Sequence, residues 1–399
     1  MNNMKNDKKL LITASTFPRW EHDTEPRFIL DYAKAMSAYY NVTVLAPATA
    51  GANCFEELEG VSIIRYHYFP IHRWETLCYP GAIVPRIKEK KIRILLVPFL
   101  LLALRRQIKK LAPQFDVIHA HWLIPQGICQ IGLTKTPYMI TGHGGDVTSL
   151  NIGLLKYAKT RCMREAFAVT AVSEHLAGKM KSLCPKVNPE VISMGVNVDH
   201  FEPQYRKEQL FEQNDKKVIL YVGRLAEKKG VTYLIEAMKT IDAKLVIVGD
   251  GTLKTSLQEQ AKPQGKKIIF LGSKTHEELK EIYASADVFV APSVTAKDGD
   301  QEGFGLVMLE AMASGLPVIA SRSGGIVQLI EDQINGILCE EKNVEQLSDA
   351  INLVLKDNQL YERLSQASLA TVAQYDYRVI AKKYSDLIET KVFHNNGKE

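Results

Sequence analysis

Glu302 and Glu310 flank a glycine-rich turn in the string Asp298-Gly299-Asp300-Gln301-Glu302-Gly303-Phe304-Gly305-Leu306-Val307-Met308-Leu309-Glu310. A helix that opens near Gly305 and closes at Gly315 offers the amides from Gly303 to Val307 at its N-terminus. Unpaired donors and the helix dipole there favour anions and sugar oxygens. Glu302, just ahead of the turn, can accept hydrogen bonds from sugar hydroxyls. Glu310 falls on an otherwise apolar helix with Leu306, Leu309 and Ala313, where a carboxylate is costly unless something pairs it. A ribose diol would do so; the bland alternative is a helix-start glutamate and a second one salt-bridged elsewhere.

Two cations stand in a second glycine turn, Gly223-Arg224-Leu225-Ala226-Glu227-Lys228-Lys229-Gly230. Arg224 offers a planar fork and Lys229 a point charge, a pairing suited to a diphosphate. Lys228 reads as an ordinary surface lysine. Gly249, in Val248-Gly249-Asp250-Gly251, marks a further tight strand-to-helix turn. Ser293 follows a strand that ends at Ala291 and opens the glycine-rich loop. Together these features suit a nucleotide diphosphate joined to a sugar.

The first half has its own strand exit, Ile140-Thr141-Gly142-His143-Gly144-Gly145-Asp146-Val147. Its glycines let the backbone approach a ligand and leave His143 at the mouth, with Asp146 expected to cap the next helix. In Asp116-Val117-Ile118-His119-Ala120-His121-Trp122, His119 and His121 share one strand face. A metal pair is conceivable there, but no third ligand or Asp-x-Asp is evident, so both read as cleft or packing residues.

The elements that must position these groups alternate. Strands are predicted at 10–14, 42–46, 61–66, 117–120, 138–141 and 168–172, then at 218–222, 245–248, 268–271, 288–291 and 318–320. Helical patterns lie between them, among them Phe28/Tyr32/Met36, Tyr233/Ile235/Met238 and Leu279/Ile282/Tyr283. Near-continuous apolar strands alternating with helices imply α/β architecture with parallel sheets covered on both faces. The pattern breaks near 194–203, continues through a helix-prone stretch (204–217) and restarts at Val218. That gives an N-terminal domain (1–198), which the resemblance described below implies to be the acceptor side, and a C-terminal domain (199–376) that holds the nucleotide-sugar features. The two Rossmann-like domains are expected to face a shared cleft, with a last helix (377–399).

A chain of 399 residues suits two cores. Six scattered cysteines without a C-x-x-C pair read as reduced thiols. The apolar run Leu10–Ile12 is too short for a signal peptide, so a cytoplasmic protein is expected. Net charge is +5, yet Arg65–Lys110 holds eleven Lys/Arg against Glu75 and Glu89, an excess of nine that leaves the remainder net negative. A local basic patch implies a local anionic partner and not a generally basic protein, and no nucleic-acid partner is expected. Within it, Ile94–Leu104 is too short to span a bilayer. Either the basic segment 86–110 rests on an anionic membrane surface, or the apolar run is a buried helix whose cations snorkel outward.

The strings E-G-F-G-L-V-x-L-E-A-M-A-x-G-x-P-V, Gly223–Gly230, Val248–Gly251, Ser323-Gly324-Gly325 and Asn335-Gly336 resemble glycosyltransferase family 4 over essentially the whole chain. That family comprises retaining enzymes of the two-domain glycosyltransferase-B fold. The setting S-V-T-A-K-D-G-D-Q-E-G is similar to the branch that builds exopolysaccharide and cell-envelope glycans. The resemblance implies a UDP- or GDP-sugar donor and a glycan or polyprenyl-diphosphate-linked acceptor, with no cofactor and no metal. It implies His143 and Glu302 on the donor sugar, Arg224 and Lys229 on the diphosphate, and Glu310 on the ribose. Phe304 and Gly305 amides would meet the sugar, Leu306 and Val307 amides the phosphate, and the loop at Ser293 and the turn Gly272–Lys274 would border the base. It also implies a terminal helix that crosses back onto the first domain. The loop Thr16-Phe17-Pro18-Arg19-Trp20 departs from the family's frequent Gly-Gly turn; Arg19 and Arg27 either meet an acceptor phosphate or are surface arginines. His121 belongs to the same acceptor side. No carboxylate is an evident nucleophile, which favours front-face attack with the departing phosphate taking the acceptor proton. A nucleotide-sugar epimerase of the same fold and a non-catalytic binding subunit are the rivals; T-A-S-T-F-P after strand one, lacking G-x-G-x-x-G, argues against a Rossmann oxidoreductase.

Overall fold

The computed structural model describes residues 7–133, 135–211 and 216–394. The chain forms two compact units, one of Met1–Met194 with Tyr377–Glu399 and one of Gly195–Asp376.

The first unit holds β1 (Lys9–Thr13), β2 (Asn41–Pro47), β3 (Phe55–Leu58), β4 (Val61–Tyr66), β5 (Val117–His121), β6 (Tyr138–Gly142), β7 (Ala168–Ala171) and β8 (Glu190–Val191). They form one sheet in the order β3-β4-β2-β1-β5-β6-β7-β8. Every pairing is parallel except the β3–β4 hairpin. Leu10, Leu11 and Ile12 of β1 are fully buried, as in a central parallel strand with both faces covered.

The second unit holds β9 (Val218–Val222), β10 (Lys244–Val248), β11 (Ile268–Gly272), β12 (Val288–Ala291), β13 (Val318–Ser321) and β14 (Ile337–Cys339). Their order is β11-β10-β9-β12-β13-β14, parallel throughout. In such sheets the loops at the strand carboxyl ends carry ligands.

The Phe28–Met36 helix buries Ile29, Tyr32, Ala33 and Met36, spaced at three and four residues. That face meets the Tyr377–Ile388 helix: Tyr32 and Tyr384 rings lie 5.1 Å apart, and Tyr377 donates to the Phe28 carbonyl at 3.2 Å. The end of the chain therefore completes the core of the first unit.

Two expectations need correction. The stretch 204–217 shows no α-helix among its described residues, only a 3-10 turn at Pro203–Tyr205; residues 212–215 lie outside the described chain. The apolar run is not simply a buried helix. It turns through Lys91–Leu96 into a helix, Val97–Leu111, that buries Leu100, Leu104, Ile108 and Leu111. Leu95, Phe99 and Leu102 are left exposed. Among the described residues no helix is long and apolar enough to cross a membrane. All six cysteines are free thiols.

Candidate active site

In the second unit three strand ends converge through glycines. Gly223, after β9, has its amide on the Val248 carbonyl at 3.0 Å. Gly249, after β10, lies so close that any Cβ there would run into the Gly223 carbonyl. Gly230 adopts a left-handed conformation (φ 64°), and a Cβ would strike the Pro292 carbonyl after β12. The turn that carries Lys229 is thus pressed against the start of the loop at Ser293, which is itself buried.

That loop is tied down along its length. Lys228 pairs with Asp300 at 3.0 Å and donates to the Gln301 carbonyl. It is therefore a half-buried clamp and not the surface lysine its sequence setting suggests. The amide and hydroxyl of Thr295 both donate to Glu341, at 2.8 and 2.9 Å. The Gly325 amide donates to the Glu302 carbonyl at 2.9 Å. So fixed, the loop delivers Glu302 to Lys229, whose ammonium pairs with its Oε2. Burial alone would raise the Glu302 carboxyl, but the charges of Lys229 and Lys228 and hydrogen bonds from Lys229 and the Gly303 amide hold it at about 2. Glu302 is a fixed anion.

Gly305 is the left-handed N-cap of the Leu306–Ala313 helix, as expected. Gly303 and Phe304 are buried behind it, the Phe304 ring 5.6 Å from Tyr375, while Leu306 and Val307 remain half-exposed. First-turn amides of a helix have no helical partner, so this helix start offers donors that an anion could take. Glu310 is half-buried, and its Oε2 accepts from the Tyr283 hydroxyl at 2.7 Å. Arg224 is exposed at the mouth of the turn. Burial raises the Tyr221 phenol beneath it, the Glu302 charge adding to the rise and the Arg224 charge opposing it.

In the first unit, His143 follows β6 and is half-buried, with Trp122 at 4.9 Å and Phe28 at 5.5 Å between ring centres. Asp146 does not cap the helix after it. It sits inside that short turn, and its carboxylate accepts from the amides of His143, Gly144 and Leu123 at 3.1, 2.8 and 2.9 Å. One side chain thus joins the exits of β5 and β6. His119 is a packing residue: its two nitrogens meet Tyr32 Oη at 2.8 Å and Thr141 Oγ1 at 2.7 Å. His121, expected on the acceptor side, is fully buried, and its Nδ1 lies 2.9 Å from His143 Nε2. It reaches a ligand only through His143.

Arg19 and Arg27 are not open surface cations. Arg19 forks onto Asp23 at 2.6 and 2.8 Å, and Arg27 pairs with Glu59 at 2.6 Å and Asp31 at 3.1 Å. Each is thus already paired with a carboxylate. Sequence reasoning also missed Tyr283 and Glu341. Tyr283 sits at a core-facing helical position, where only its hydroxyl hinted at a partner; Glu341, in Cys339-Glu340-Glu341-Lys342, has no signal of its own.

Residues 204–370 match the family described as glycosyl transferases group 1, and residues 26–200 match glycosyltransferase family 4. An uncharacterized glycosyltransferase of Methanocaldococcus jannaschii is 31% identical over 356 residues, 82% of this chain and 84% of that protein. A Mycobacterium tuberculosis enzyme named as a GDP-mannose-dependent alpha-(1-6)-phosphatidylinositol monomannoside mannosyltransferase is 27% identical, over 88% of this chain and 90% of its own. Among solved structures, sucrose-phosphate synthase of Thermosynechococcus elongatus superposes with a TM-score of 0.79 at 21% identity, covering 97% of this chain and 100% of that one. Anabaena HepE in complex with UDP gives 0.72 at 19%, covering 96% and 100%. Two parallel-sheet units of this kind are the glycosyltransferase-B fold. The chain belongs to glycosyltransferase family 4 and is a transferase.

Proposed function

We propose that this enzyme transfers a hexosyl group, with retained anomeric configuration, from a UDP- or GDP-sugar to a hydroxyl of a glycan or polyprenyl-diphosphate-linked acceptor in cell-envelope or exopolysaccharide synthesis. One observation carries the reading: an ionised Glu302 paired with Lys229 beside a helix N-terminus, with the carboxylate of Glu310 one turn further along the same helix. A permanent anion suits sugar hydroxyls and the positive charge that develops at the anomeric carbon. Two cations and the first-turn amides suit the diphosphate. Glu310, oriented by Tyr283, suits the ribose. The mycobacterial relative named for GDP-mannose and HepE solved with UDP support this donor class.

In the proposed mechanism the bond from the anomeric carbon to the diphosphate oxygen breaks as the acceptor oxygen bonds the same face. The acceptor proton passes to the departing phosphate oxygen. Arg224, Lys229 and the helix amides stabilise the charge that accumulates there, so no metal is required. Held at about 2, Glu302 stays ionised at neutral pH and acts by its charge, not by giving up a proton.

The protein is further proposed to work in the cytoplasm, against the inner face of the membrane. Leu95 and Leu102 are 65% and 68% exposed on the basic segment. Beside them a groove of about 730 Å³ is lined by Phe99, Leu102, Arg106, Lys109 and Lys110. Apolar ridges with cations around them match an anionic lipid surface.

Incubation with a panel of UDP- and GDP-hexoses tests the function. Slow hydrolysis of one donor, with transfer once a lipid-linked acceptor is added, is expected. An isomerised donor formed without acceptor would instead mark an epimerase, and no turnover or binding of any nucleotide sugar would overturn the reading.

A further inference from the structure

We infer that His121 is a positioning residue that locks His143 in the tautomer with its proton on Nδ1, so that His143 meets a ligand as a hydrogen-bond donor. The two rings share one hydrogen bond, His121 Nδ1 to His143 Nε2 at 2.9 Å. A single proton must lie between those nitrogens if both rings are neutral. Burial drives both below the ordinary histidine range, His143 to about 3, and at His121 the neighbouring imidazoles add like-charge repulsion.

The remaining nitrogen of His121 decides which ring holds the shared proton. His121 Nε2 is buried and has no hydrogen-bond partner among the described residues. The groups that might have served it are committed: His119 is engaged at both nitrogens, by Tyr32 and Thr141, and Thr141 is also bonded to Thr170 at 2.6 Å. A proton on His121 Nε2 would be a buried, orphaned N–H, which folded proteins rarely tolerate. His121 therefore carries its proton on Nδ1 and donates it to His143 Nε2. The neutral His143 ring must then hold its own proton on Nδ1.

The backbone keeps this geometry. Asp146 binds the amides of Leu123, His143 and Gly144, so the strand ends carrying the two imidazoles are tied to one carboxylate. Trp122 and Phe28 pack against the His143 ring and limit its rotation. His143 so held donates to a sugar hydroxyl or phosphate oxygen through Nδ1–H; that nitrogen has no lone pair with which to take a proton. Only this last step rests on the proposed transfer reaction.

Long-range proton–nitrogen NMR of the full chain, uniformly nitrogen-15 labelled at histidine, tests the assignment without substrate. His143 is expected to show the Nδ1-protonated pattern. An Nε2-protonated His143 in the wild-type protein would overturn the inference, whatever the enzyme's activity. His121→Phe removes the donor and is expected to move His143 toward the Nε2–H form. His121→Asn, whose amide N–H can stand where Nδ1–H stood, should restore the wild-type pattern. With a donor found, kcat should fall about tenfold in His121→Phe and recover in His121→Asn, KM for the acceptor staying constant, the scale of one hydrogen bond. Equal loss in both variants would overturn the positioning role; absence of turnover with any donor, beside the expected spectra, would fault the transferase reading alone.

Discussion

The ammonium of Lys229 is bonded to Oε2 of Glu302 across 73 residues of sequence, and both side chains are largely buried. Groups assigned to different parts of a donor are thus each other's partner. A buried ion pair gains little over an apolar pair, but losing one member strands the other. Lys229→Ala and Glu302→Gln are each expected to lower transfer at least about a hundredfold, the usual scale for a lost charge-stabilising group. Because they act as a unit, the double variant should be little worse than either single one. Additive losses in a double-mutant cycle would show that the two act independently.

The same pair sets a pH dependence. The Glu302 carboxyl lies at about 2 in the folded chain against an ordinary 4.5. A folded value below the unfolded one means that the pair's contribution to stability is complete above about pH 4.5. It is lost as pH falls from there through about 2. Glu302→Gln should therefore be less stable than wild type at pH 7 by a few kcal/mol, on the order of 3, with the gap closing toward pH 2. Denaturant melts of both proteins at stepped pH provide the check. A gap that widens on acidification would mean that the carboxyl is not held down.

Tyr283 reaches Glu310 at 2.7 Å from a neighbouring helix, and its hydroxyl orients the carboxylate assigned to the ribose. Tyr283→Phe keeps the ring and removes that donor. Nucleotide Kd is expected to rise about five- to tenfold, the worth of one ordinary hydrogen bond. Turnover at saturation should barely change, because the ribose is bound alike in ground and transition states. Calorimetry with UDP and GDP, alongside kcat, separates the two effects.

Much of this was legible from spacing. Strands 61–66, 218–222 and 288–291 were read end for end, since long apolar β-branched runs declare buried parallel strands. Three strands were invisible. β3 reads Phe-Glu-Glu-Leu on an exposed edge, and β8 and β14 span only two and three residues, too few for any period. In the site, Glu302, Glu310 and the Gly305 turn stood out because a carboxylate in an apolar helix and a glycine at a helix start each break a local rule. The partners did not. Lys228 with Asp300, Thr295 with Glu341 and His121 with His143 are tertiary pairs that no local pattern specifies. Asp146 looked like a cap because aspartate beside a helix start usually is one; its actual bond to Leu123, 23 residues earlier, depends on β5 lying beside β6.

Gly230 is where the turn carrying Lys229 meets the start of the Ser293 loop. Its φ of 64° and the Pro292 carbonyl leave no room for a side chain. Gly230→Ala must either twist the turn carrying Lys229 or push the Ser293 loop aside. Stability is expected to drop by roughly 1–3 kcal/mol for a strained left-handed residue. Transfer should fall further than that loss explains, because the Lys229–Glu302 pair is displaced. Unfolding curves and turnover on the same preparation test this. A variant as active and as stable as wild type would show that the turn is loose.

The helix Val97–Leu111 turns a mixed face to solvent, with Phe99 and Leu102 near its start and Arg106, Lys109 and Lys110 toward its end. In the proposed membrane contact this face would act through two additive contributions, and they can be separated. Each lysine or arginine near an anionic surface contributes about 1 kcal/mol, which salt screens, while the apolar contribution does not depend on charge. Lys109→Glu with Lys110→Glu should cut sedimentation with phosphatidylglycerol vesicles at least about tenfold at low salt. Leu102→Ser should weaken binding at all salt concentrations. Transfer to a short, water-soluble acceptor should be unaffected in both, since neither substitution touches the Glu302 loop. Equal recovery of wild type with neutral phosphatidylcholine and anionic vesicles at low salt would remove the membrane from the account and leave the basic segment to some other anion.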